Sequence, residues 1–276
     1  MRKTLIGLTT AALVLTACDG EPGLADTLKL NEDPASVLLI VKDEGGFVPI
    51  EFIVGQGPRL VLLRDGTLIV SGPQIEIFPQ PLLPNYQSIQ LGEEDMLFVL
   101  EELDALGFAE IDEEVNNEAA NMVADASTAI TTFFNQDGAH TFSVYALGIG
   151  TQVTDGRIPV LANLVEHLTQ IGFSLPGAAY EWDALEVLAG VPQMPAEPDF
   201  ANVQPWPVEV GFDEMTDIGF GWRCASYEGD EAQTLLNLFA GANQVTTWDD
   251  GGTEYSIKVR PLFPLQEPCT TVAAAG

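Results

Sequence analysis

Basic residues are scarce in this chain. Ten lysines and arginines stand against 41 aspartates and glutamates, a formal net charge of −31. Without Arg2 and Lys3, which belong to the N-terminal segment described below, eight bases face the same 41 acids, a net of −33. Nucleic-acid binding depends on clustered Lys and Arg, so that class is excluded. Anionic lipid headgroups repel such a surface as well. It suits cations, a basic partner, or plain solubility in a salty or crowded envelope. Histidine is rarer still, with His140 and His167 alone. No G-x-S-x-G is present, so a Ser-His-Asp arrangement finds no support. Phosphate-binding loops are missing too, because Gly148-Ile149-Gly150 is a lone G-x-G without a third glycine. Beyond the N-terminus no apolar run reaches membrane-spanning length. The longest, such as Val37-Leu38-Leu39-Ile40-Val41, are strand-sized.

What is present begins at the N-terminus. Arg2 and Lys3 precede an apolar stretch from Leu5 to Leu15, and small residues lead up to Cys18. This is the anatomy of a signal peptide, too short to stay in a bilayer as a span. Leu15-Thr16-Ala17-Cys18 resembles a bacterial lipobox. That resemblance implies a diacylated Cys18 as the first mature residue, a stable anchor once two or three chains are attached. The alternative is an ordinary secretory signal cut near Ala17. Residues 18–35 then read as a lipid-anchored tether. Asp19 to Ser36 holds Gly, Pro, Asp and Glu with little periodicity, and its roughly 17 residues reach at most ~55 Å. The expected location is the extracytoplasmic face of the cell membrane.

Two cysteines remain, Cys224 and Cys269. In an oxidising compartment they most simply pair, closing a loop of 45 residues. No other Cys or His lies at ligand spacing from either, which argues against a metal there. Hydrophobic residues make up 46% of the chain, enough for a sizeable core.

The pattern along the body is α+β: antiparallel hairpins packed with helices, in two subdomains. Ser36–Lys42, Val48–Val54, Arg59–Arg64 and Thr67–Val70 read as strands, the last two flanking an Asp65-Gly66 turn of type I′. Gly72–Pro84 reads as a Pro-rich loop. Glu93–Leu106 is an amphipathic helix with acids in its first turn and Gly107 as its stop. Ala126–Phe134 and Ala139–Leu147 form a further hairpin. Pro159–Ile171 is a second helix ended by Gly172, and Trp182–Leu188 a short third one. Prolines 192, 195, 198, 205 and 207 mark a stiff connection at 191–210. This divides an N-terminal domain, 36–190, from a small disulfide-closed one, 211–276. The latter reads as strand Gly219–Ser226, helix Asp230–Ala242, and strands Gln244–Trp248 and Thr253–Val259.

Few residues suggest chemistry. Asp112, Glu114, Asn116 and Glu118 alternate after a helix, as oxygen ligands of calcium do, but the central glycine of such loops is missing. Trp206, in Pro205-Trp206-Pro207, could dock a partner or clamp the two halves. Carboxylate pairs of glycosidase type are guaranteed by abundance, and none can be singled out.

A wider resemblance rests on several segments. They are Asp65-Gly66, Leu106-Gly107-Phe108, Asp125-Ala126-Ser127-Thr128, the run Thr141 to Leu147, Trp206-Pro207, the Cys224 strand, Ala242 to Trp248, and Arg260 to Pro264. Together the chain resembles secreted lipoproteins of high-GC Gram-positive bacteria, a family without an assigned activity. The resemblance implies fold and location and no mechanism. The reading is a non-enzymatic binding or scaffolding module of the envelope. Its alternatives are a small-ligand or calcium-binding lipoprotein and, further off, a hydrolase.

Overall fold

A computed structural model of the chain describes residues 23–74, 76–108, 111–115, 117–120, 122–150, 154–192 and 202–270. The architecture is α+β with two sheets. The first holds β1 (Val37–Gly45), β2 (Leu60–Leu63), β3 (Thr67–Ser71), β4 (Tyr86–Gln90), β5 (Glu113–Val115), β6 (Ser127–Asn135), β7 (Gly138–Tyr145) and β8 (Ala178–Ala179). Their order is β5-β7-β6-β1-β2-β3-β4-β8. All neighbours are antiparallel except β5 and β7. The turn between β2 and β3 is three residues long, Arg64-Asp65-Gly66. Gly66 alone among them takes a positive φ, so this is the three-residue hairpin loop rather than type I′.

Helices α3 (Glu93–Ala105) and α4 (Arg157–Ser174) cover one face of this sheet. Val99 and Leu103 of α3 and Ile158, Leu161, Leu164, Val165 and Leu168 of α4 bury against Leu39, Val41, Leu62, Phe133 and Phe142. Each such burial stabilises by about 1.5–3 kcal/mol. Gly172 does not stop α4, which runs two residues further. A Cβ on Gly172 would come within 3.1 Å of both γ-methyls of Val70, so the glycine serves close helix–sheet approach. Gly107 does end α3, at φ +65°.

The expected tether is corrected in its second half. α1 (Leu24–Thr27) lies beside α3, and Leu28 and Leu30 are buried in the same core. Asn135 Nδ2 donates to Leu28 O at 3.2 Å, Gln136 N–H to Lys29 O at 2.9 Å, and Asp65 N–H to Pro34 O at 2.9 Å. Residues 24–36 are therefore fastened to the body.

The second sheet contains β9 (Ala184–Gly190), β10 (Asn202–Pro205), β11 (Thr216–Gly219), β12 (Trp222–Glu228), β13 (Thr246–Asp250) and β14 (Thr253–Pro261). Their order is β10-β13-β14-β9-β12-β11, with β10 parallel to β13. A turn at Phe220-Gly221, both at positive φ, splits the single strand expected over Gly219–Ser226. Helix α5 (Gly229–Phe239) packs on this sheet through Ala232, Leu235 and Phe239. The same core takes Val37, Ile40, Val61 and Ile69 from the back of the first sheet and Leu185, Val187, Ala189, Ile257 and Val259 from the second.

Two elements differ from expectation. Trp182–Leu188 is not a helix, since Ala184 to Gly190 form β9, the strand between β12 and β14. It is buried on both faces, so simple alternation is hidden. Its place also moves the passage between sheets upstream of 190, and the Pro-rich stretch falls within the second sheet's own segment. Val48–Val54 is not a strand. Pro49 opens α2 (Ile50–Gly55), whose Ile50 and Val54 sit one turn apart against Leu188, Ile218, Trp222 and Cys224.

Candidate functional site

Where β1, β6, β7 and β5 extend beyond the second sheet, their exposed back face floors a cleft of about 500 Å³. Register builds the floor. Lys42 pairs with Ile130, Ile130 with Ser143, and Ser143 with Glu114, giving one row across four strands. Glu44 and Thr128 form the next row. The period of two that sends Val41, Phe133 and Phe142 into the helical core turns these residues the other way. One wall is Gln56-Gly57-Pro58, after α2. The other is the end of β14 and the segment that follows it, with Arg260, Leu262, Gln266, Glu267 and Thr270.

At the base of the cleft lies Glu186, 3% exposed. One of its oxygens accepts from Arg260 Nε. The other accepts from Cys269 N–H at 2.6 Å and lies 3.6 Å from Cys224 Sγ. Arg260 further donates to the carbonyls of Val54 (3.3 Å) and Gln56 (3.4 Å), tying β14 to the end of α2. The Cys224–Cys269 disulfide is present, with a Cα–Cα distance of 5.3 Å. It fastens the cleft's C-terminal wall to β12. Among the described residues, Glu186, Cys224 and Cys269 are the group whose donor atoms approach one another closely enough for a metal, and here the sulfurs bond to each other.

Half of the body's eight bases gather here. Lys42 pairs with Glu44 at 2.5 Å. Arg59 Nε donates to Asp43 at 2.8 Å. Lys258, two residues before Arg260, lays its stem along Gly55. Burial holds the Lys258 ammonium below the usual lysine range, with Glu51 opposing in part. Two exposed carboxylates on the lining, Glu114 and Glu267, have no ion pair among the described residues. Between the lining residues Gly45 and Ile53, Phe47, Val48 and Phe52 stand 89%, 40% and 59% exposed.

The sequence-derived candidates distribute as follows. Cys18 and Asn116 lie outside the described residues. Asp112 accepts from Thr141 N–H at 3.0 Å, Glu118 from the Thr154 hydroxyl at 3.3 Å, and Glu114 faces the cleft. Trp206 donates from Nε1 to Val210 O at 2.9 Å and meets Tyr255 edge-on at 5.5 Å. Neither histidine lines the cleft: His140 contacts Asn135 at 3.2 Å, and His167 contacts Asp95 at 3.1 Å. Gly148-Ile149-Gly150 belongs to a turn pinned by buried Asn117, whose Nδ2 donates to Ala146 O and Ile149 O.

Sequence reasoning missed Glu186, Arg260, Lys42 and the exposed aromatics Phe47 and Phe52. Glu186 was legible in part, as the one charge in an apolar run, Ala184-Leu185-Glu186-Val187-Leu188-Ala189. Comparison of the chain with protein-family models, curated proteins and solved structures finds no match. Among the described residues, no helix is long and apolar enough to cross a membrane.

Proposed function

We propose that the protein is an extracytoplasmic module, anchored through a lipid on Cys18, that binds a segment of another envelope protein in the cleft between its sheets. The observation that carries this reading is the cleft itself. It has a polar floor whose charges are mostly paired and two carboxylates left over, and exposed Phe47 and Phe52 lie in the segment between its lining residues Gly45 and Ile53. Glu114 and Glu267 favour a basic residue on the partner, as does the net charge of the whole body. Phe47 and Phe52 supply the aromatic anchors on which interface energy concentrates.

The test is photocrosslinking in cells, from a reactive amino acid at position 270 on the cleft wall and from a second at 217 on β11, outside the cleft. A partner captured from 270 and not from 217, and lost in Cys18→Ser, supports the reading. Equal capture from both sites, or capture from 270 that survives Glu114→Lys with Glu267→Lys, rejects it.

A second reading, a small-ligand or calcium lipoprotein, draws on the cleft's size, which falls in the range of ligand pockets. A melting shift on adding calcium at fixed ionic strength would favour it, because a ligand of the folded state stabilises that state. Among the described residues, Glu114 is the one shared by the cleft and the acidic run around Asp112 and Glu118.

A further inference from the structure

We infer that the cleft is held at the end of the body remote from the membrane and on the face turned from it, so that its partner approaches from the outer side and not along the bilayer. This rests on the anchored reading of Cys18. It follows from where the chain joins the body.

Gly23 opens α1, and residues 24–36 are bonded to one pole of the first sheet: to the β6–β7 turn at Asn135 and Gln136, and to the β2–β3 turn at Asp65. From Cys18 to Gly23 there are five residue steps, a contour of at most ~18 Å. The anchored pole therefore stays close to the headgroups. β1 leaves that pole at Val37 and reaches the cleft at Lys42 to Gly45. Seven strand steps from Val37 to Glu44 amount to ~23 Å. The displacement across the sheet has the same sense. α1 lies in the helical layer with α3, whereas the cleft opens on the opposite face. Standing on its anchored pole or lying on its helices, the body turns the cleft outward. A tether of the full expected length would have allowed any orientation, and the packing of residues 24–36 removes that freedom.

The test uses the lipidated full-length protein in phosphatidylcholine vesicles, with an acceptor dye on the headgroups. A donor dye is attached through an azide-bearing amino acid at position 137 or position 267. The expected result is stronger energy transfer from 137, with the two apparent heights differing by ~20 Å or more. Equal transfer, or stronger transfer from 267, overturns the inference. A flexible Gly-Ser insertion of about 30 residues between Pro22 and Gly23 has a mean span near ~30 Å. It should collapse the difference; if the difference persists unchanged, the short connection is not its cause and the inference fails. Failure of the underlying reading looks different. Protein that does not float with the vesicles, or lacks a diacylglycerol mass on Cys18, refutes the anchor itself. Protein that floats and gives equal transfer refutes the orientation alone.

Discussion

Removing the negative charge of Glu186 should be among the most damaging single changes to the second sheet. Its side chain is 4% exposed and that of its partner Arg260 16%. Glu186→Gln preserves an acceptor for Cys269 N–H, held at 2.6 Å, so the change isolates the charge. Breaking a buried ion pair on one side costs about 3–5 kcal/mol, because the other charge is left without a counterion. Arg260 keeps the carbonyls of Val54 and Gln56 and some contact with the cleft, so the lower end, ~3 kcal/mol, applies. For a body of this size that is a fall in Tm of ~6–12 °C. Replacing both partners tests the reasoning more sharply. Glu186→Gln with Arg260→Met leaves no unpaired charge, and the two single losses should exceed the double loss by ~2 kcal/mol. Urea unfolding followed by tryptophan fluorescence, with Trp222 and Trp248 both in the second sheet, supplies all four free energies. A single-variant loss below ~1 kcal/mol, or additivity within ~0.5 kcal/mol, would refute the account of the pair.

Thr131 is fully buried and its hydroxyl finds no hydrogen-bond partner among the described residues; Thr131→Val keeps the shape and should raise stability by ~1 kcal/mol, or Tm by ~2–4 °C, in calorimetry. Cys224→Ala with Cys269→Ala opens the 45-residue loop and should lose ~2–4 kcal/mol in urea titration. Burial holds the Tyr86 hydroxyl well above the usual tyrosine range, Arg260 opposing weakly, while the hydroxyl donates to Pro58 O at 2.8 Å. The folded state therefore favours the protonated phenol: its contribution is complete below pH ~10 and is lost as pH rises further. Tyr86→Phe should cost ~1 kcal/mol at neutral pH, yet give a shallower decline above pH ~10. Tyr180 and Tyr227, shifted upward by burial in the same way, retain part of the slope.

Local signals were readable where one element settles its own fate. The acids, apolar spacing and Gly107 of α3 did so, and the Asp65-Gly66 turn gave the hairpin even though its loop proved one residue longer. Signals failed where tertiary contact decides. Ile50 and Val54 carry β-branched side chains that read as strand, but Pro49 and the Trp222 pocket favour a helical turn. Trp182 to Leu188 reads as helix until its neighbours are known, because the β9 faces are buried by different partners, Val187 in the inter-sheet core and Leu188 under α2. Leu28 and Leu30 looked like stray apolar residues of a linker, since the core that takes them is made by residues far along the chain. The cleft was not legible for the same reason. Lys42, Ile130, Ser143 and Glu114 meet only through register, and no local pattern announces a row that crosses four strands.

The position of β9 sets an order of assembly. It precedes both strands it lies between: β12 begins at Trp222 and β14 at Thr253. A chain emerging from its N-terminus presents Ala184 to Gly190 with two open hydrogen-bonding edges, and the second is not satisfied until almost the whole length is available. The first sheet, closed by β8 at Ala179, needs none of that later sequence for its strands. Non-local pairing of this kind is slow and leaves edges open to wrong partners. A chain cut short near residue 250 would thus lack β14 and leave one edge of the apolar β9 unsheltered, which makes roughly the last tenth of the sequence a guard against aggregation for a segment made long before it.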